Sequence, residues 1–282
     1  LHQVNCSLAA RKGAAVIRKG IDNAIQASAQ GFYGRKFISR ASLGTTQAQA
    51  NTEVALYRDD RLFYTWPGVQ VRIPEIAFRG TAGGIGFTSD GIITVGADAP
   101  LATICSVLPP EENPGQSTGL IENFFAIETQ TTPLTILNYT SLKANGICAP
   151  RRDTTAGMVF QSGITASLTA GKTTQARRKM ADFIQDSLAQ ALVPYCKKLA
   201  TGTRRDAIRA TIEQFLTELQ SNGHPDAQRI DSFSVDENAG QTPELTARGI
   251  FVYQILVRTL SSLDALVLST QIGEGVVAIT EV

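Results

Sequence analysis

The run QARRKMADFIQDSLAQALVPYCKKL (residues 175–199) decides how this chain divides. Met180, Phe183, Ile184, Leu188, Leu192 and Cys196 recur at spacings of three and four, the apolar stripe of an α-helix. RRDAIRATIEQFLTELQSNG (204–223) repeats the design with Ile208, Ile212, Phe215, Leu216 and Leu219, and Gly223 supplies a stop. Strand-like runs follow: RIDSFSVDEN (229–238), GIFVYQILVRTL (249–260), DALVLSTQIG (264–273) and GVVAITEV (275–282). Two helices followed by strands make an α+β unit.

Upstream the pattern is different. Residues 1 to about 30 read as one helix, with Leu8, Val16, Ile17, Ile21 and Ile25 on an imperfect stripe. GFYGRKFISRASLG (31–44) is broken by glycines and reads as a mobile loop. EVALYRDDRLFYTWPGVQVRIP (53–74) reads as short strands around an Asp59-Asp60 turn, and FRGTAGGIGFTSDG (78–91) as irregular. DGIITVGADAPLATICSVLPPEENPGQ (90–116) opens with an apolar strand and closes in a proline-rich loop. ENFFAIETQTTPLTILNYTSLKANGICAPRRD (122–153) holds a strand, a helical turn and a break, and GMVFQSGITASLTA (157–170) is strand-like. The expectation is an α/β domain over residues 1–160 and an α+β domain over 161–282, with no internal repeat.

At 282 residues, 43% hydrophobic and 18% charged, the chain can bury a sizeable core. A net charge of +1 gives no reason to expect nucleic acid or an anionic membrane as partner. No apolar run reaches the roughly 18 residues of a membrane helix. The chain opens at Leu1 directly into a helical pattern, which suggests the later part of a longer polypeptide. Cys6, Cys105, Cys148 and Cys196 are far apart and form no CxxC or Cys/His cluster, so buried reduced thiols are expected and zinc is not.

ASLTAGKTTQARRKM (166–180) fits a loose phosphate-loop pattern, with Ala166 in the first glycine slot and then Gly171, Lys172 and Thr173. Such a loop needs a helix starting at the Lys-Thr pair, yet the apolar stripe begins two turns later, at Met180. The magnesium carboxylate has one contender, Asp98, and its strand fits poorly, so nucleotide chemistry is not expected. His2 and His224, the two histidines, sit at the chain start and in a breaker-rich turn, and neither has the setting of a catalytic base. GTAGGIGF (80–87) lacks dinucleotide-fingerprint spacing. No catalytic, cofactor or metal residue is assigned.

Charge is more informative. Lys172 to Arg209 holds nine basic and three acidic residues, and Ala210 to Arg248 holds seven acidic and two basic. Solvated helix faces explain such runs in general, while opposed patches on one small domain also suit head-to-tail contact with further copies. Two basic clusters head the two helices: Arg177, Arg178 and Lys179, then Arg204, Arg205 and Arg209. At the end, Gly273 and Gly275 set off Val276, Val277, Ala278, Ile279 and Thr280, a β-prone strand able to pair with its own sheet or with a neighbour's edge.

Eight segments carry a family resemblance: ARKGAAVI (10–17), FYTWPGV (63–69), DGIITVGADAP (90–100), SVLPPEENPGQ (106–116), NGICAPRRDTTAGMVFQSGIT (145–165), RRKMADFIQDSLA (177–189), RIDSFSVDEN and GEGVVAITEV (273–282). In this order the chain resembles contractile tail sheath proteins of bacteriophages and related injection machines. The resemblance implies a non-catalytic domain of subtilisin-like fold followed by a C-terminal sheath domain. It further implies a helical homo-oligomer around an inner tail tube, in contact with baseplate and tail terminator proteins. Such a sheath is assembled in the host cytoplasm and resides in the virion tail, without cofactor, nucleic acid or membrane insertion, and contracts to drive the tube through the host envelope. Gly275 to Val282, on a hinge of Gly273 and Gly275, would be an arm exchanged between subunits. A basic helix face, with the 177–179 cluster favoured, would touch the tube. The readings weighed against it are a phosphate-loop nucleotide binder and another virion protein of baseplate or capsid.

Overall fold

The computed structural model describes residues 6–8, 13–31, 34–72, 92–116, 124–128, 133–153, 157–220, 228–237, 239–260, 269–271 and 278–280. The glycine-rich 78–91 run therefore lies wholly outside the described residues, as do Gly223 and both histidines.

A parallel sheet organises the first half. Strands β1 (Cys6–Leu8), β2 (Lys36–Arg40), β3 (Leu62–Thr65) and β7 (Ile147–Cys148) lie in that order, every pair parallel. Helices α1 (Ala14–Ala29) and α2 (Gln47–Ala55) make the first crossovers. Alternate residues serve opposite faces, as a pleated strand requires. Phe37, Leu62, Tyr64 and Ile147 share a core with Ile17 and Ile21 of α1, Ala50 and Val54 of α2, and Tyr139 and Leu142 of α4 (Ile136–Ala144). Ile38, Phe63 and Cys148 point the other way, into a second core with Leu101, Ile104 and Cys105 of α3 (Asp98–Val107).

A small antiparallel sheet borders that second core. Its central strand β4 (Val69–Arg72) pairs with β5 (Ile92–Val95) and β6 (Phe124–Ile127). A hairpin of β8 (Pro150–Asp153) and β9 (Gly157–Phe160) adds Met158 and Phe160 to the same core. Then α5 (Gln175–Leu192) and α6 (Gly202–Gln220) pack on β10 (Ile230–Asp236) and β11 (Gln254–Thr259), an antiparallel pair whose turn carries α7 (Pro243–Ala247). Met180, Ile184, Leu188, Ile212, Leu216, Leu219 and Ile230 form this third core. The last strands, β12 (Ser269–Gln271) and β13 (Ala278–Thr280), pair only with each other among the described residues.

Several expectations change. The opening helix is confined to Ala14–Ala29, and Cys6–Leu8 is a strand, so Leu8 stands outside the helical stripe. Ile25 of that stripe is 46% exposed. GFYGRKFISRASLG contains a buried interior strand of the parallel sheet, not a loop, because Lys36 and Arg40 find partners remote in sequence. Glu53 to Ala55, expected as strand, ends α2, which a capping box between Thr46 and Gln49 starts despite a weak apolar stripe. The same device, Thr135 with Asn138, starts α4. Cys105 and Cys148 are buried as expected, but Cys196 is exposed because its segment leaves the helix at Leu192.

Candidate assembly surfaces

In α/β folds the carboxyl ends of the parallel strands are where a site is sought, at a point where strand order reverses. Here the order runs in sequence without reversal among the described residues, and described side chains at that end are tied to loop backbone. Trp66 is 2% exposed and its Nε1 donates to the Thr45 carbonyl at 3.0 Å. Glu128 ties the loops after β2 and β3 together, accepting from the Gly44 amide at 2.6 Å and the Gly68 amide at 2.9 Å. A Cβ on Gly68 would lie 2.9 Å from the Val95 carbonyl oxygen, so a glycine is needed for this close approach. Arg40 pairs with Asp98 at 3.5 Å beside it. These charges hold loops in place.

The GKT segment is a closed turn. The Thr165 hydroxyl donates to the Lys172 carbonyl at 2.7 Å, the Thr165 amide to Thr173 at 2.8 Å and the Lys172 amide to Thr169 at 3.0 Å. Gly171 takes φ +81°, a conformation glycine adopts freely. The helix starts at Gln175, beyond the Lys-Thr pair, and the Lys172 amide is spent inside the turn. A phosphate cradle needs the opposite arrangement.

The two basic clusters meet different fates. Arg178 is 15% exposed and bonds Asp60 at 3.2 Å and also Asp182. Burial works against the charge of Arg178, and the carboxylates of Asp182 and Asp60 more than offset it, raising its pKa above the usual guanidinium value. Lys179 is 4% exposed and donates to the carbonyls of Pro109 at 3.1 Å and Glu112 at 3.2 Å. Arg177 is half-buried. The favoured tube-facing cluster is thus turned into the molecule, because the first turns of α5 lie against the parallel-sheet body. Arg178 and Lys179 are withdrawn as surface candidates.

The second cluster stays outside. Arg204 is half-buried and reaches back to the Leu199 carbonyl, and Arg205 is exposed. The Arg209 side chain is 48% exposed and pairs with Glu213 one turn on at 2.8 Å. They stand at the tip of the α5–α6 hairpin with exposed Lys197 and Lys198. Val193 and Leu199, 64% and 82% exposed, add apolar surface there. Sequence reasoning missed this pair, since Leu199 follows the stripe of α5 but lies beyond its end.

Of the C-terminal candidates, Ala278, Ile279 and Thr280 form β13 and pair antiparallel with Gln271, Thr270 and Ser269 of the same chain. Gly273, Gly275, Val276 and Val277 lie outside the described residues. The β10–β11 pair is likewise a sheet of only two strands among the described residues, its outward positions Ser232, Ser234, Leu256 and Arg258 all exposed.

Comparison with protein-family models finds no match, and none of the curated proteins matches. Solved structures do. The chain superposes on the sheath complex of an extracellular contractile injection system, PVC, in its contracted state, with TM-score 0.71 and 12% identity, over 98% of this chain and 72% of that one. A chain of the anti-feeding prophage baseplate gives TM-score 0.67 at 13% identity, over 91% of this chain and 65% of that one. The sheath tail protein of Desulfitobacterium hafniense gives 0.58 at 10% identity, over 91% and 56%. This chain therefore has the mixed helix-and-strand fold of contractile sheath proteins, and spans about two thirds of the length of the first two.

Proposed function

We propose that the chain is the structural subunit of a contractile sheath, polymerising helically around an inner tail tube and contracting to drive that tube through an envelope. One observation carries the reading: the fold match extends over 98% of the chain, through both the parallel-sheet part and the helix-hairpin part. A structural role is supported by the matched chains, which come from sheath and baseplate assemblies. In this reading residues 1–160 are the subtilisin-like sheath domain and 161–282 the C-terminal sheath domain.

The tip of the α5–α6 hairpin is the better tube-facing candidate, with Arg204, Arg205 and Arg209 toward an acidic tube surface. Exposed charges make such contacts weak and salt-sensitive, which suits a contact that must break on contraction. The segment 275–282 is the inter-subunit arm, and the pairing of its Ala278–Thr280 with β12 within one chain is the arrangement an exchanged strand would reproduce between copies. Baseplate and terminator proteins would meet the ends of the polymer.

Sedimentation velocity tests the reading. The chain is expected to form polymers of very high mass, and deletion of residues 275–282 to leave folded monomers. A chain that stays monomeric with its arm intact, beside a supplied tube protein, would contradict the proposal. Normal polymers from the truncated chain would remove the arm alone.

A further inference from the structure

Among the described residues the third core shares no member with the other two, and a set of polar contacts joins its body to theirs. Gln175, fully buried, donates its amide to the Gly163 carbonyl at 3.0 Å and its Nε2 to the Ile164 carbonyl at 2.8 Å. Lys179 grips the Pro109–Glu112 loop through two carbonyls. Arg229 holds Glu111 at 2.6 Å while its guanidinium lies 4.8 Å from the centroid of the Phe183 ring. At the centre Asp182, 2% exposed, gathers Lys36 of β2 at 3.1 Å, Arg61 before β3 at 3.5 Å, and Arg178 of its own helix.

Asp182 is thus the counter-charge for two buried cations of the parallel-sheet body, on a helix whose other half belongs to the third core. Arg61 is anchored on its own side, donating to the Arg35 carbonyl at 3.0 Å and the Ser28 hydroxyl at 2.8 Å. Lys36 likewise donates to the Gly34 carbonyl at 3.1 Å. With the carboxylate gone, both cations keep their places and face a helix that no longer compensates them, and moving the helix away lets water in. A cleft of about 560 Å³ already runs along this seam, lined by Gly34, Lys36, Leu108, Lys179, Asp182 and Phe183 among others. An apolar seam resists opening because exposing it costs free energy in proportion to area, whereas charged groups beside an open cleft can regain hydration when they part.

We infer that the Asp182 carboxylate is a latch holding the α5–α6–β10–β11 body on the parallel-sheet body, and that its loss lets the two intact bodies part along this seam. The inference does not depend on the sheath reading. It requires two bodies that fold by their own cores and one seam held by charge.

Spin-label distance measurement reads this directly. Cys196 is exposed at the hairpin tip and Thr52 is exposed on α2 of the other body, so Thr52→Cys in a Cys6→Ser background gives one label on each. The parental chain, diluted into excess unlabelled chain so that only distances within one chain are read, is expected to give one narrow distance distribution. Asp182→Asn is expected to add a longer population, or to broaden the distribution at least twofold, with unchanged circular dichroism. Should Asp182→Asn not fold, Arg178→Gln, which loses one arm of the hub and keeps the carboxylate, is expected to show the same broadening to a smaller degree. An unchanged narrow distribution in a folded variant overturns the latch. So does failure of both variants to fold, since the hub would then belong to the folding of a body and not to the seam.

Discussion

Two triplets of basic residues head two successive helices, and they end in opposite environments. Arg178 and Lys179 are drawn inside, one against Asp60 and Asp182, the other against backbone carbonyls. Arg205 and Arg209 look outward from the hairpin tip, Arg209 pairing with Glu213 one turn on and the Arg205 carbonyl accepting from the Tyr253 hydroxyl. Composition does not separate the clusters. Position does: α5 starts against the parallel sheet, whereas α6 starts at the far end of the hairpin. The same side chain is a structural part in one place and a surface charge in the other.

Charge reversal should break that symmetry most strongly. Arg178→Glu sets a third carboxylate beside Asp60 and Asp182 in a mostly buried site, where breaking a buried pair costs about 3–5 kcal/mol. Against a total stability of roughly 5–15 kcal/mol, reversal of all of Arg177, Arg178 and Lys179 is expected to split the urea transition, the seam opening at low denaturant while each body keeps its own unfolding step. An unchanged urea transition in the triple variant would show that the hub is ornamental. Lys179→Met is the gentler probe, leaving the Pro109 and Glu112 carbonyls without their donor, for an expected loss of about 1–3 kcal/mol in the same assay.

The exposed cluster should behave in the reverse way. Arg204→Glu with Arg205→Glu is expected to shift stability by no more than about 0.5 kcal/mol, as surface substitutions do. The same variant should lose sheath formation around tubes. Normal assembly would remove the tip from the tube-facing role, and a large stability loss would mean that its exposure is misjudged.

The cysteines repeat the contrast at smaller scale. Cys196 is exposed and should react with an aromatic disulfide reagent in the native protein, while Cys105 and Cys148 react only after unfolding. Burial pushes the Cys148 thiol well above its ordinary value of 9.0. Above about pH 9 the unfolded chain therefore releases a proton that the folded chain keeps. This contribution is complete below pH 9 and is lost as pH rises, by at most about 1.4 kcal/mol per pH unit for the group. Buried Tyr64 and Tyr139 are shifted the same way and begin nearer pH 10. Cys148→Ala should flatten the fall between pH 9 and 10; an identical slope would mean that the thiol is not the cause.

What the sequence revealed follows from the range of the interactions. The helices α5 and α6 and the strands β10 and β11 were readable because each buries one face against its neighbours, so the pattern repeats every few residues. The strand β2 was not, because Lys36 and Arg40 look like loop residues until Asp182 and Asp98 are placed beside them. The Asp182 hub has one local sign, the Arg178–Asp182 spacing of four, which elsewhere marks an ordinary surface pair. Which basic cluster faces outward depends on where a helix begins in space, and no local pattern encodes that.

Electron microscopy of the purified chain tests the central claim most directly. The account expects long hollow cylinders with helical order, assembled from this one subunit or on added tubes. Closed rings or shells of fixed size, or monodisperse single particles in the presence of tubes, would contradict it.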